Sequence, residues 1–85
     1  MPAVARIGDS ISHGGNIITG SSDVFCNGIG VARRYDSVLC AQHGLQTIIG
    51  GSETVFADGR NLARIGDAIS CGAVITTGSP NVYAG

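Results

Sequence analysis

Val4-Ala5-Arg6-Ile7-Gly8-Asp9 returns as Val31-Ala32-Arg33-Arg34-Tyr35-Asp36 and again as Leu62-Ala63-Arg64-Ile65-Gly66-Asp67. Four residues after each Asp stand His13, Cys40 and Cys71. The middle copy adds His43, three residues after Cys40. Three equivalent side chains that suit zinc, plus one extra, make a set of four. Internal repeats decide a fold more firmly than local propensity does, so the chain is first divided by them.

The first unit covers about residues 4–28, the second 31–59 and the third 62–85. Their second halves also align. Ile17-Ile18-Thr19-Gly20-Ser21 matches Ile48-Ile49-Gly50-Gly51-Ser52 and Ile75-Thr76-Thr77-Gly78-Ser79. Val24-Phe25 then matches Val55-Phe56 and Val82-Tyr83. Asn27-Gly28 and Asp58-Gly59 are two-residue hairpin signals, because both central positions of such a turn need positive φ. Ser79-Pro80 reads as a turn opener.

One spacing departs from the repeat. His13 precedes Ile17 by four positions and Cys71 precedes Ile75 by four, but Cys40 precedes Ile48 by eight. The middle unit therefore carries a four-residue insertion directly after its candidate ligand, and His43 lies inside it. Three units about an axis supply three side chains. A fourth requires one unit to break the symmetry.

Composition agrees with short strands and many turns. The chain has 85 residues, one small domain, and 14 of them are glycine. Glycine is disfavoured inside helices, while the Ile, Val and Thr between the glycines suit strands, and no 3.6-residue period is sustained. The expected class is all-β. A chain this short buries a limited core and is expected to need a staple. The five basic residues are all arginine, against six acids, for a net charge of -1. That balance gives no basic footprint for nucleic acid or anionic lipid. No apolar run approaches a membrane span, and no secretory leader pattern follows Met1.

Three cysteines in a short chain without a leader fit metal ligation better than a disulfide framework. Tetrahedral zinc takes four Cys and His ligands when its role is structural, and Cys40-x-x-His43 has the spacing with which one tight turn aims two side chains at one ion. The candidate metal ligands are His13, Cys40, His43 and Cys71, with one zinc ion as the cofactor; soft sulfur with imidazole favours zinc over a redox metal. Cys26 occupies the place of Ala57 and Ala84 and reads as a packing residue. The pairs Arg6/Asp9, Arg33/Asp36 and Arg64/Asp67 read as repeated turn structure, with Asp accepting backbone amides. No catalytic residue is assigned, and no nucleophile elbow, phosphate loop or zincin motif is present.

The phrases Pro2-Ala3-Val4-Ala5-Arg6, Val31-Ala32-Arg33 and Leu62-Ala63-Arg64, with the Ile-Gly-Asp continuation, the Thr-Gly-Ser turn and the Asn-Gly closing turn, resemble the PAAR-repeat family over the whole chain. The Pro-Ala-Ala start is incomplete in each copy, and Arg34-Tyr35 replaces the apolar-Gly step in the second. The resemblance implies a small cone of three β-rich units with zinc near its apex. It implies a base docked on a trimeric β-helical spike of the valine-glycine-repeat type, in type VI secretion or a phage tail, and a role in membrane piercing. A single cone per trimer is expected, with toxin effectors on separate chains. Assembly in the cytoplasm, then delivery outside the cell, is the expected itinerary. The other classes weighed are a small zinc-dependent hydrolase, which needs a coordination position open to water, and a generic zinc-binding interaction module.

Overall fold

The three Ala-Arg phrases close on one another as a ring. In the computed structural model, which describes residues 2–84, Arg6 bridges Val31, Arg33 bridges Leu62 and Arg64 bridges Val4, all antiparallel. The alanines between them complete a cycle. Ala32 N–H donates to Ala5 C=O, Ala63 N–H to Ala32 C=O and Ala5 N–H to Ala63 C=O, at 2.9–3.0 Å. All three alanines are fully buried. A side chain larger than methyl at this point would meet two copies of itself, which explains the residue type. Met1 and Gly85, the latter the closing glycine expected of the third unit, lie outside the described residues.

A second cycle sits beside the first. Ile17 pairs with Val38, Ile48 bridges Ile69, and Ile75 bridges Ile11. Each pair joins the second half of one unit to the first half of the next, so no unit holds its own core. These six side chains, the three alanines, Cys40 and Ala73 form one buried cluster, with Cys71 packed against it. A second cluster contains Val4, Val31 and Leu62 with Cys26, Ala57 and Ala84. The two clusters meet at the first step of each phrase, where consecutive residues such as Val4 and Ala5 belong to different ones.

Every described element is a strand or turn, and no helix is long and apolar enough to cross a membrane. The strands are β1 (Gly15–Ile17), β2 (Phe25–Cys26), β3 (Ile29–Gly30), β4 (Ser37–Cys40), β5 (Gly44–Thr47), β6 (Phe56–Ala57) and β7 (Arg60–Asn61). β2 with β3 and β6 with β7 are hairpins turning at Asn27-Gly28 and Asp58-Gly59, whose φ values lie between 53° and 78°. These are the turns expected from sequence. The third hairpin has no turn. Ala3 bridges Tyr83 and Ala84 N–H donates to Pro2 C=O, so the two terminal segments stand where the other units have a continuous hairpin.

Polar side chains repeat the same symmetry. Asp9, Asp36 and Asp67 each accept the backbone N–H and the Nε–H of the arginine three residues earlier, at 2.7–3.3 Å. Asp36 holds the Arg33 guanidinium above its usual range chiefly through that hydrogen bond, against the opposing effect of burial, and Asp67 does the same for Arg64. The buried hydroxyls of Ser21, Ser52 and Ser79 each accept N–H groups two and three residues on, which closes the turn after the Gly-Ser step.

Candidate metal centre

The middle unit supplies the exception, and the site is built on it. Its four extra residues extend a single bridge into a hairpin. Where units one and three have the bridges Ser10 to Asn16 and Ala68 to Val74, β4 and β5 pair over four positions, from Ser37–Thr47 to Cys40–Gly44. Residues 41–43 form the loop, and Gly44 closes it at φ +76°. A glycine in the left-handed region at the end of a three-residue hairpin loop is the arrangement that returns the chain in register. Cys40 is the last residue of β4 and His43 the last of the loop, so both side chains reach the same place.

The other two donors come from turns at equivalent places in units one and three. Gly14 and Gly72, at φ +78° and +92°, donate N–H to Ile11 and Ile69 C=O. These turns present His13 and Cys71. Gly15 then lets β1 lie against β4: at φ +105°, an added Cβ would stand 1.9 Å from the Leu39 carbonyl oxygen. Gly15 is thus the residue that brings His13 alongside Cys40, and the doubled glycine just after a candidate ligand is the sequence signal for it.

The structure brings all four expected residues together. One donor atom from each of His13, Cys40, His43 and Cys71 lies within 4.8 Å of the others. The sulfurs of Cys40 and Cys71 are 3.5 Å apart. Cys40 Sγ stands 3.5 Å from His43 Nδ1 and 3.9 Å from His13 Nδ1, and Cys71 Sγ stands 3.7 Å from His13 Nδ1. A tetrahedron with zinc–sulfur bonds of about 2.3 Å and zinc–nitrogen bonds of about 2.0 Å separates its sulfurs by about 3.8 Å and sulfur from nitrogen by about 3.5 Å. The four separations fall within a few tenths of an ångström of those values, so this His2Cys2 group could hold a metal ion. Cys40 is buried, His13 and Cys71 are half-buried, and His43 is exposed.

The environment of Cys40 favours a thiolate. Burial pushes its thiol up. The His43 ring, the Gln42 amide, the Cys71 thiol and the His43 amide all stabilise the anion and together bring it from 9.0 down to about 6. Two amides directed at the first sulfur come from the same loop that carries His43. Cys26 stays apart: it is buried in the second cluster and donates to Asn27 Oδ1 at 3.1 Å. The Arg–Asp pairs are spread around the alanine ring as turn structure, and Arg64 also lines an open cavity of about 290 Å³ with Gly51, Glu53 and Thr54.

Comparison with known proteins places this arrangement in a family. No curated protein matches the chain significantly. The family model for the PAAR motif matches residues 7–77, a span that includes His13, Cys40, His43 and Cys71 and both later copies of the Ala-Arg phrase. With most of its length matched, the chain belongs to the PAAR-motif family.

Proposed function

We propose that this chain is a metal-stapled spike tip that caps a trimeric β-helical spike of the valine-glycine-repeat type, or its phage-tail counterpart, and sharpens it for membrane piercing. A spike-tip role in general follows from the family. The observation that carries the finer reading is an exposed apolar ring with the same threefold pattern as the core. Phe25, Phe56 and Tyr83 are 60%, 56% and 52% exposed, and each follows a half-exposed valine, Val24, Val55 or Val82. Large aromatics left open on a small protein mark a partner surface, and three equivalent ones suit a partner with three identical chains. The ring adjoins the second buried cluster through Cys26, Ala57 and Ala84, and the His/Cys group adjoins the first.

His13, Cys40, His43 and Cys71 would hold one zinc ion. Such an ion supplies no chemistry beyond cross-linking when four side chains fill its coordination shell. The residues of this chain then tie unit one, the middle hairpin and unit three at one point. The role is structural and not enzymatic. Assembly takes place inside the producing cell, before delivery at the tip of the apparatus.

Stoichiometry tests the reading. Mixing the chain with a valine-glycine-repeat trimer should give one chain per trimer by light scattering. Phe25→Asp with Phe56→Asp should weaken binding by about a hundredfold or more, because each change places a charge in the centre of an apolar contact. Metal content should not change. Three chains per trimer, or unaltered binding by the double variant, would refute the capping mode.

A further inference from the structure

Cys40 and Cys71 come from different units, 31 residues apart, yet their sulfurs are in direct contact at 3.5 Å. A disulfide needs about 2.0 Å between sulfurs, so the pair is about 1.5 Å short of a bond. Cys40 precedes the exposed loop 41–43, and Cys71 sits between exposed Ser70 and Gly72, the latter at φ +92°. The third thiol, Cys26, is buried in the other cluster and makes its contact with Asn27. It does not compete.

We propose that Cys40 and Cys71 are also a redox-modification site: under oxidising conditions they release the metal and join as a disulfide, so that one pair of sulfurs staples units two and three in either state. The inference rests on the metal reading for its starting state only. The oxidant class is a hydroperoxide. The half-buried Cys71 sulfur attacks one peroxide oxygen, the O–O bond breaks, and the departing hydroxide becomes water on taking a proton. Cys71 is then a sulfenic acid. Cys40 sulfur attacks the Cys71 sulfur, the S–O bond breaks, and the hydroxyl leaves as a second water with a second proton. The two sulfurs lose two electrons, and hydrogen peroxide gains them to become two waters; both protons come from the thiols in the reduced metal-free chain and from solvent in the loaded chain, whose sulfurs are thiolates. A disulfide sulfur is a poor ligand, so the ion departs with only the two histidines left to hold it.

The test uses the full chain in two forms, metal-loaded as purified and metal-free reduced, each treated with hydrogen peroxide. Intact mass should fall by two hydrogens. Peptide mapping should find Cys40 linked to Cys71, with Cys26 still alkylatable. In the loaded form, a chromogenic chelator should register the ion in step with the mass change. The oxidised chain should recover the cooperative thermal transition that the reduced metal-free chain loses, because the cross-link restricts the unfolded state. Oxygen addition at Cys71 without a cross-link would overturn the proposal, as would a bond to Cys26 or between chains. Metal analysis of the untreated chain separates the two readings. A chain purified without metal that still forms the Cys40–Cys71 bond upholds the disulfide and sinks the metal reading, whereas a loaded chain that never cross-links sinks the disulfide alone.

Discussion

The alanine ring and the His/Cys group are built by the same three units but obey different symmetries. At Ala5, Ala32 and Ala63 each unit contributes one residue, one donor and one acceptor, and the hydrogen-bond cycle closes within 0.1 Å from 2.9 to 3.0 Å. At the other place three equivalent residues, His13, Cys40 and Cys71, are joined by His43, which has no counterpart. A ring of backbone pairs is satisfied by three. A tetrahedral ion is not. The difference shows where a threefold chain must depart from itself and how little departure is enough: four residues, one hairpin, and a glycine at its end. The departure has a visible cost, since Leu39 and Leu45 face each other across β4 and β5 and are 49% and 65% exposed.

The largest expected effect comes from breaking the asymmetric region. Structural zinc in small domains contributes about 10–16 kcal/mol of apparent binding free energy at neutral pH, which matches or exceeds the 5–15 kcal/mol of net stability typical of a domain. Strong chelation or Cys71→Ala should therefore unfold the chain or abolish its cooperative thermal transition. An unaltered melt in chelator counts against the ion as a staple. Breaking the symmetric region should cost less. Ala32→Leu inserts three carbons where each ring alanine is fully buried, at a cost of about 3 kcal/mol. Calorimetry should then show a lower Tm with metal content retained, and loss of the metal together with the ring would mean that the two regions are not separable.

Two smaller changes repair symmetry instead of breaking it. Thr19 and Thr77 donate to Asp36 and Asp9 and accept the N–H of Ser37 and Ser10, whereas the equivalent middle position is Gly50. Gly50→Thr should restore the third copy and gain about 1 kcal/mol. Its Cβ would approach Ala68 N to 3.0 Å, so a lower Tm would show that the sheet cannot give by the few tenths of an ångström required. Tyr35 stands at φ +76° where the other units have Gly8 and Gly66 at +94° and +92°. Tyr35→Gly relieves left-handed strain but loses the contact of Arg34 over the Tyr35 ring, 5.1 Å from its centroid. The expected net gain is about 0.5 kcal/mol, and a loss of more than that by denaturant titration would assign Tyr35 a packing role.

The repeat, the all-β class, the hairpin turns and the gathering of His13, Cys40, His43 and Cys71 were legible because each depends on residue type at fixed spacing. Period, turn chemistry and ligand chemistry are local properties of a sequence. Other features depend on which unit meets which. Ile17 pairs with Val38 of the next unit in addition to its backbone hydrogen bonds with Gly8 and Asp9 of its own, and no spacing states the first of these. The hairpin formed by Ala3 and Tyr83 joins residues that are far apart in the chain. The aromatic ring was hidden for a different reason. Phe25 and Cys26 are neighbours on one short strand, and which of them faces inward is decided by the alanine-sized space beneath Cys26, Ala57 and Ala84. The substitution Arg34-Tyr35 was legible as a departure, and its consequence emerges only in place: Arg34 Nε is buried without a hydrogen-bond partner among the described residues.

The central claim is that a threefold chain acquires its fourth ligand from one hairpin and closes on one ion. X-ray absorption spectroscopy on the purified chain, calibrated by metal analysis, tests it most directly. The account predicts one zinc per chain with two sulfurs at about 2.3 Å and two nitrogens at about 2.0 Å, falling to two sulfurs and one nitrogen in His43→Ala. A folded chain without metal, or a wild-type shell in which an oxygen stands in for His43, would contradict it.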